Sequence, residues 1–363
     1  MRVLVTGGLG FIGSHITDDL VAQGHDVVVV DSLSPAAHAV SPDYRNPNAE
    51  YHIVALADVD TISGLCSGID AVCHQAARVG LGVDFDDVAV YVEDNCLGTG
   101  VLLRALNRVG FSGRLVQASS MVVYGEGAYA CPEHGTVRPG PRTRQALQSG
   151  QFEPGCPTCG ADLVTQSVLE EQPLDPRNVY AATKVHQEHL GHAFAAATGS
   201  DVVSLRYHNV YGPRMPRDTP YAGVASIVRS ACEAGRSPRV FEDGGQRRDF
   251  VHVADVAVAN RLALTAPDPI MGSYNIATGT PITILQMARA VCSGVGDGSI
   301  TPQVTGEYRI GDVRHITAAP DLARRTFGFQ AQVDPSTGLR EFATAPMRAS
   351  LAEADMPDHA GPG

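Results

Sequence analysis

The chain has 363 residues, 44% hydrophobic and 18% charged, which suits a globular protein of one large domain or two modest ones. A formal net charge of −12, from 39 acidic against 27 basic residues, excludes a broad basic surface for nucleic acid, but leaves room for a few placed arginines to hold a small anion. No apolar run reaches the about 18 residues that span a bilayer, and Arg2–Thr6 already reads as a strand rather than a leader, so a cytoplasmic protein without a membrane partner is expected.

Short apolar runs at Val3–Val5, Val27–Val30, Ala71–His74 and Leu115–Ala118 read as buried strands. Amphipathic stretches such as Gly13–Ala22 and Tyr91–Arg108 lie between them as helices. This alternation predicts an α/β fold, a doubly wound parallel sheet of Rossmann type with ligands at the carboxyl ends of its strands. The first turn carries Gly7, Gly10 and Gly13 in a Gly-x-x-Gly-x-x-Gly pattern between strand and helix. Residues without Cβ atoms allow a tight turn and close approach of a pyrophosphate to the free N–H groups of the helix end. Asp31 closes the second strand, 18 residues after Gly13. A carboxylate there accepts from both ribose hydroxyls and repels a 2′-phosphate, which selects NAD over NADP.

Residues 127–172 interrupt the rhythm with Pro, Gly and polar residues. Cys131-Pro-Glu-His134-Gly and Cys156-Pro-Thr-Cys159-Gly within them are near copies, each a turn that aims two ligands at one centre. Cysteines of a cytoplasmic protein are reduced, so this Cys3His set predicts a tetrahedral structural zinc with no open position, tying down an excursion that lacks a core of its own. Cys66, Cys73, Cys96, Cys232 and Cys292 sit in apolar settings and read as core residues.

Regular patterning returns with a helix over Val179–Thr198. Tyr180 and Lys184 share one face of it at i and i+4, where the ammonium lowers the phenol pKa and can also hold a nicotinamide ribose. Strands at Val202–Leu205 and Tyr274–Ala277 and helices at Val224–Ala234 and Ile284–Val295 complete the pattern. The expected division is a cofactor domain over 1–205 with its zinc-binding insertion at 127–172, a smaller, partly interleaved substrate lobe over 206–345, and a disordered tail over 346–363.

The opening Thr-Gly-Gly-x-Gly-Phe-Ile-Gly-Ser-His resembles that of the extended short-chain dehydrogenases, the NAD-dependent nucleotide-sugar epimerases and dehydratases. The resemblance covers about residues 1–340 outside the insertion. It implies tightly bound NAD lined by Gly7, Gly10, Phe11, Ile12, Gly13, Asp31, Asp58, Val59, Ala76 and Ala77, with Asn95 on the helix beneath the site and Tyr180 and Lys184 at the nicotinamide. It also makes Ser120, five residues before Gly125, the catalytic hydroxyl beside Tyr180 and Lys184. The family's 4,6-dehydratases carry an Asp-Glu pair after that hydroxyl, and its UDP-glucuronate decarboxylases keep the Glu. Met121 and Val122 stand there instead, so no further acid or base is supplied. Hydride transfer plus one tyrosine proton remains, which suffices for epimerisation through a transient keto sugar.

Three further segments resemble the family's substrate lobe and imply a nucleotide-diphosphate sugar as ligand. Asn209 and Arg248 then meet the diphosphate, Arg309 joins them, and Asp312 meets a ribose hydroxyl or an arginine, while Phe241 lies near the base and Ser120 and Met121 border the sugar. Ser-Ser-Met-x-x-Tyr-Gly-Glu-Gly and Val-Phe-Glu-Asp-Gly-x-Gln-Arg-Arg-Asp-Phe are most similar to the dTDP-L-rhamnose 4-epimerases. A UDP-glucose or UDP-glucuronate epimerase, a net oxidoreductase on a nucleotide sugar, and a non-catalytic NAD-binding scaffold are the competing readings. The resemblance also implies a homodimer built as a four-helix bundle from Tyr91–Arg108 and Val179–Thr198.

Overall fold

A computed structural model describes residues 1–348 apart from 36, 39, 81–84 and 218–222. Seven parallel strands form the central sheet: β1 (Arg2–Thr6), β2 (Asp26–Asp31), β3 (Glu50–Ile53), β4 (Ala71–His74), β5 (Arg114–Ser120), β6 (Asp201–Tyr207) and β7 (Gly272–Ile276). They lie in the order β7-β6-β5-β4-β1-β2-β3. The order reverses between β1 and β4, which opens a crevice at their carboxyl ends.

The strands are covered on both faces, and their side chains divide by parity. Val3, Val5, Val27 and Val29 face the helices Phe11–Ala22 and Val253–Thr265 through Ile16, Leu20, Val256 and Ala259. Leu4, Val28, Val30 and Leu115 face the other way, onto Ile62, Leu102, Leu106 and Phe194 of the helices Val59–Leu65, Gly98–Arg108 and Val179–Thr198. The expected strands are all present: Ala71–His74 has the expected bounds, the strand expected at Tyr274–Ala277 runs from Gly272 to Ile276, and the others are two or three residues longer. The extension of β5 to Ser120 and β6 to Tyr207 places those two residues opposite one another. The chain beyond 205 returns to this sheet, supplying both β7 and the Val253–Thr265 helix.

The expected helix over Tyr91–Arg108 is interrupted. A helical turn at Val88–Tyr91 passes through a π-helical turn at Val92–Leu97 before Gly98–Arg108. The wide turn contains Asn95, and such turns often mark functional positions. Tyr211, Val228, Phe250, Met287, Val291 and Phe342 form the separate core of the second lobe, where Cys232 and Cys292 approach to 2.8 Å between the helices Val224–Glu233 and Ile284–Gly294.

The insertion has more order than its composition predicts. Ala128–Cys131 is the centre of a small antiparallel sheet with Gly135–Val137 and Val164–Gln166 on either side. Tyr129, Leu147 and Cys156 are buried, and Val123, Tyr124 and Ala128 share a core with Val168, Ile316 and Ala318. Of the tail, residues 346–348 dock on the body: Pro346 accepts from the Arg214 N–H at 2.7 Å and Arg348 donates to the Met215 carbonyl at 3.2 Å. These paired main-chain groups hold the start of the expected disordered tail. The rest of it, 349–363, lies outside the described residues.

Candidate active site

At the crevice, Gly7 has φ +68°, and a Cβ on it would lie 2.7 Å from the Ala76 nitrogen. A Cβ on Gly13 would lie 2.1 Å from the Gly7 carbonyl oxygen, so the turn and helix can pack this closely only as glycines. Gly10 caps the Phe11–Ala22 helix without any side-chain bond, and no acidic residue occupies its first turn. Its leading N–H groups, at Phe11 and Ile12, therefore face the crevice side with a favourable dipole for an anion.

Asp31 is held in place by its neighbours. Its Oδ2 accepts from the Leu9 N–H at 3.0 Å and its Oδ1 from the Leu33 N–H at 2.9 Å. His38 stands 3.7 Å from the same carboxylate, but burial and Arg348 bring its pKa down to about 4 despite Asp31, so the ring is neutral at pH 7. Asp58 caps the Val59–Leu65 helix, accepting from the Thr61 hydroxyl at 2.7 Å and N–H at 3.2 Å, and these bonds hold its carboxyl below the usual range. Its carboxylate is thus committed to the helix end, beside half-buried Val59. Ala76 and Ala77 follow β4, with the Ala76 N–H on the Thr6 hydroxyl at 3.3 Å. Asn95 is fully buried and bridges two walls. It accepts from the Arg78 N–H at 2.7 Å and donates to Arg78 O at 3.0 Å and to Thr183 Oγ1 at 2.9 Å.

Ser120, Tyr180 and Lys184 come together at the end of β5. Asn178 caps the Val179–Thr198 helix through the Ala181 N–H at 2.8 Å, which fixes Tyr180 in its first turn. Lys184, one turn on, donates to the Ala118 carbonyl at 2.9 Å and lies 5.8 Å from the Tyr180 ring centre. The lowering expected from Lys184 is not what the site shows: burial pushes the Tyr180 phenol above its usual range, and it is the Ser120 side chain that pulls it back down. Burial also brings Lys184 down to about 7, against an upward pull from Glu188. Met121 and Val122 continue into a short turn, half-buried and without any group that moves a proton.

The substrate-lobe residues form two neighbouring sets. Asn209 opens a short strand just past β6 that pairs with Phe250–His252, and its Oδ1 is buried with no partner. Arg248 is buried and donates to the carbonyls of Arg247, Arg314 and Val313 at 2.8, 2.9 and 2.7 Å, with Asp312 at 4.0 Å. Three of its five N–H donors are thereby committed. Arg309 and Asp312 are exposed, and Arg309 lies 5.0 Å over the half-buried Phe241 ring.

In the insertion, the ligand atoms of Cys131, His134, Cys156 and Cys159 lie within 4.8 Å of one another. The Cys131 and Cys159 sulfurs are 3.7 Å apart, and His134 Nδ1 is 3.4 Å from Cys131 and 3.8 Å from Cys156.

Two buried ion networks escaped the sequence reading. Arg206 forks onto Glu188 at 2.9 and 2.8 Å and reaches the Tyr124 hydroxyl at 2.9 Å, while Ser119 donates to the same Glu188 at 2.5 Å. The signal was present, since Glu188 follows Lys184 by four residues on the same helical face. The second network joins the insertion to the substrate lobe through Arg314, a contact no local spacing announces.

This fold and glycine turn define a dinucleotide-binding protein of the doubly wound class. The profile of the "NAD dependent epimerase/dehydratase family" matches residues 3–146 and 156–277, and the chain belongs to that family. It is 33% identical, over 94% of its own length and 94% of the other, to a dTDP-L-rhamnose 4-epimerase of Burkholderia thailandensis. Among solved structures it resembles the UDP-glucose 4-epimerase of Thermus thermophilus in complex with NAD, with a TM-score of 0.75, 30% identity and coverage of 94% and 98%. It also resembles the UDP-N-acetylglucosamine 4-epimerase of Methanobrevibacter ruminantium, with a TM-score of 0.76, 28% identity and coverage of 94% and 96%.

Proposed function

We propose that the chain is an NAD-dependent nucleotide-sugar 4-epimerase, with dTDP-L-rhamnose as the first substrate to test. The observation that carries the reading is Tyr180 placed against Ser120 and Lys184, with only Met121 and Val122 where an eliminating enzyme needs an acid and a base.

The glycine turn fits NAD, because the helix it opens has no side-chain cap and no acidic residue in its first turn, which leaves its N–H groups free for a pyrophosphate. Gly7, Gly10, Phe11, Ile12 and Gly13 would hold the pyrophosphate, Asp31 the ribose, Asp58 and Val59 the adenine, and Ala76, Ala77 and Lys184 the nicotinamide half, with Asn95 fixing the wall beneath. Bound there, NAD supplies the acceptor and then the donor of the C4 hydride. Tyr180 takes the proton of the C4 hydroxyl and returns it, Ser120 holds the sugar oxygen beside it, and Lys184 places positive charge under the phenol to ease the transfer. Inversion requires the keto sugar to present its other face while its diphosphate stays fixed. Asn209, Arg248, Arg309 and Asp312, with Phe241 at the base, would form that fixed end, and the unpartnered Asn209 Oδ1 supports a polar ligand beside it.

The Cys131, His134, Cys156 and Cys159 set fits a structural zinc. Sulfurs at about 2.3 Å from a tetrahedral zinc lie about 3.8 Å apart, close to the 3.7 Å between Cys131 and Cys159. The ion would cross-link the insertion and leave the chemistry to the cleft. We also propose a cytoplasmic homodimer. Among the described residues no helix is long and apolar enough to cross a membrane, and Val92 and Leu97 expose apolar side chains on the segment expected to pair, with Phe85 and Val90 exposed just before it.

The test is NMR of purified protein with dTDP-L-rhamnose and no added cofactor. A C4-epimer anomeric signal without accumulating NADH absorbance is expected. Stoichiometric NADH release would instead make the protein a net oxidoreductase. Silence with this sugar rejects it as the substrate and moves the same assay to UDP-glucose, UDP-glucuronate and other nucleotide sugars, and silence across that whole series refutes the epimerase reading.

A further inference from the structure

The insertion is bolted to the segment that precedes and follows the nucleotide-facing residues. Arg314 is among the most deeply buried side chains of the protein, at 1% exposure. Its Nε and Nη2 donate to Glu153 of the insertion at 2.9 and 2.5 Å, and its Nη1 and Nη2 bind Glu242 and Asp243 at 2.8 and 2.9 Å. The second Glu153 oxygen lies 2.8 Å from His315 Nε2. Burial alone would raise the Glu153 carboxyl, but His315 and Arg314 outweigh it and hold the group down at about 2, so it stays ionised. Arg142, also in the insertion, pairs with Glu242 at 2.8 Å and donates to the Asp312 carbonyl at 2.8 Å.

The same short segment carries the proposed nucleotide contacts. Arg248 is oriented by the carbonyls of Val313 and Arg314. Asp312 is itself one of the contacts, and Phe241, beneath Arg309, directly precedes Glu242. Neither Glu153 nor Arg142 belongs to the Ser120, Tyr180 and Lys184 group. An exposed loop is costly to hold in one geometry, whereas a loop whose buried cation is shared with a folded module is not free to shift.

We propose that Glu153 and Arg142 are positioning residues for the nucleoside diphosphate end of the substrate, acting through Arg314 and the Asp312 carbonyl. The insertion is then a brace for nucleotide recognition, with no part in proton or hydride transfer. This rests on the nucleotide-sugar reading above.

The test is calorimetric titration of the NAD-containing protein with dTDP and with UDP, for the wild type and for Glu153→Gln. Glu153 is half exposed, so the change leaves the fold intact. Expected is binding of at least one nucleotide by the wild type, weakened about tenfold in Glu153→Gln, with bound NAD retained and the variant still folded at the assay temperature. In turnover the variant raises KM and leaves kcat alone. Equal affinity in wild type and variant overturns the proposal while the functional reading stands. Loss of NAD together with nucleotide overturns it in favour of a general structural role. A wild type that binds neither nucleotide removes both.

Discussion

Lys184 donates its ammonium to the Ala118 carbonyl at 2.9 Å, and two residues further along β5 the Ser120 side chain meets Tyr180. One strand end thus sets the height of both helix residues in the cleft. The pair is separable by mutation. Tyr180→Phe removes only the hydroxyl and should lower kcat by about 10²–10⁴-fold, with NAD retained and melting temperature kept. Lys184→Met removes the cation and the ribose donor, so both kcat and the NAD released on denaturation should fall. A Tyr180→Phe variant with half the wild-type turnover would mean that the proton goes elsewhere.

Gly13 is the tightest point of the glycine turn. Its missing Cβ would stand 2.1 Å from a main-chain oxygen, which cannot swing aside as a side chain could. Gly13→Ala must therefore part the helix from the turn, at a cost of about 1–3 kcal/mol. The expected outcome is a lower melting temperature together with loss of copurified NAD. Full NAD occupancy with unchanged melting would show that the turn yields more easily than this packing implies.

The sheet was legible because its strands are continuous apolar runs and its first turn is spelled by glycines. Tyr180 and Lys184 were legible because four residues make one helical turn. What stayed hidden depends on distance in sequence. Glu153 meets Arg314 across 161 positions, and no periodicity records such a pairing. The small sheet of the insertion was hidden because its strands are three or four residues long, too short for alternation to show. Asn95 sits in a π-helical turn whose residues match an ordinary helix pattern, so the sequence placed it on the correct element but not in its wide turn.

Acid should weaken the fold well above the carboxylate range. His74 and His208 are buried, and burial brings each down to about 3. An unfolded histidine takes up its proton near 6.5, the folded ones only near 3. Their contribution is therefore complete above pH 6.5 and is lost as pH falls from there toward 3, each by up to about 2 kcal/mol at pH 5. Glu170 and Asp249, whose carboxyls burial raises, bind protons more tightly in the folded protein and offset part of the loss. Urea midpoints at pH 7 and pH 5 check this, with the lower value expected at pH 5. Equal midpoints would require both rings to be charged in the folded state.

The four ligand atoms of the insertion predict one tightly held metal ion per chain. Backbone N–H groups at Cys159 and Thr158 outweigh the opposing effect of burial and bring the Cys156 thiol down to about 6, so it is a thiolate at neutral pH and ready to bind. Elemental analysis of protein grown without chelator should give one zinc per chain, and Cys159→Ser should lower that content. Removing the ion deletes a cross-link between the Cys131–His134 and Cys156–Cys159 turns while the seven-stranded sheet keeps its own core, so two effects should part company. Proteolysis within 127–172 should accelerate, and the main melting transition should shift only slightly. If chelation instead unfolds the whole chain in one step, the insertion is a folding partner of the sheet and not a module fastened to it.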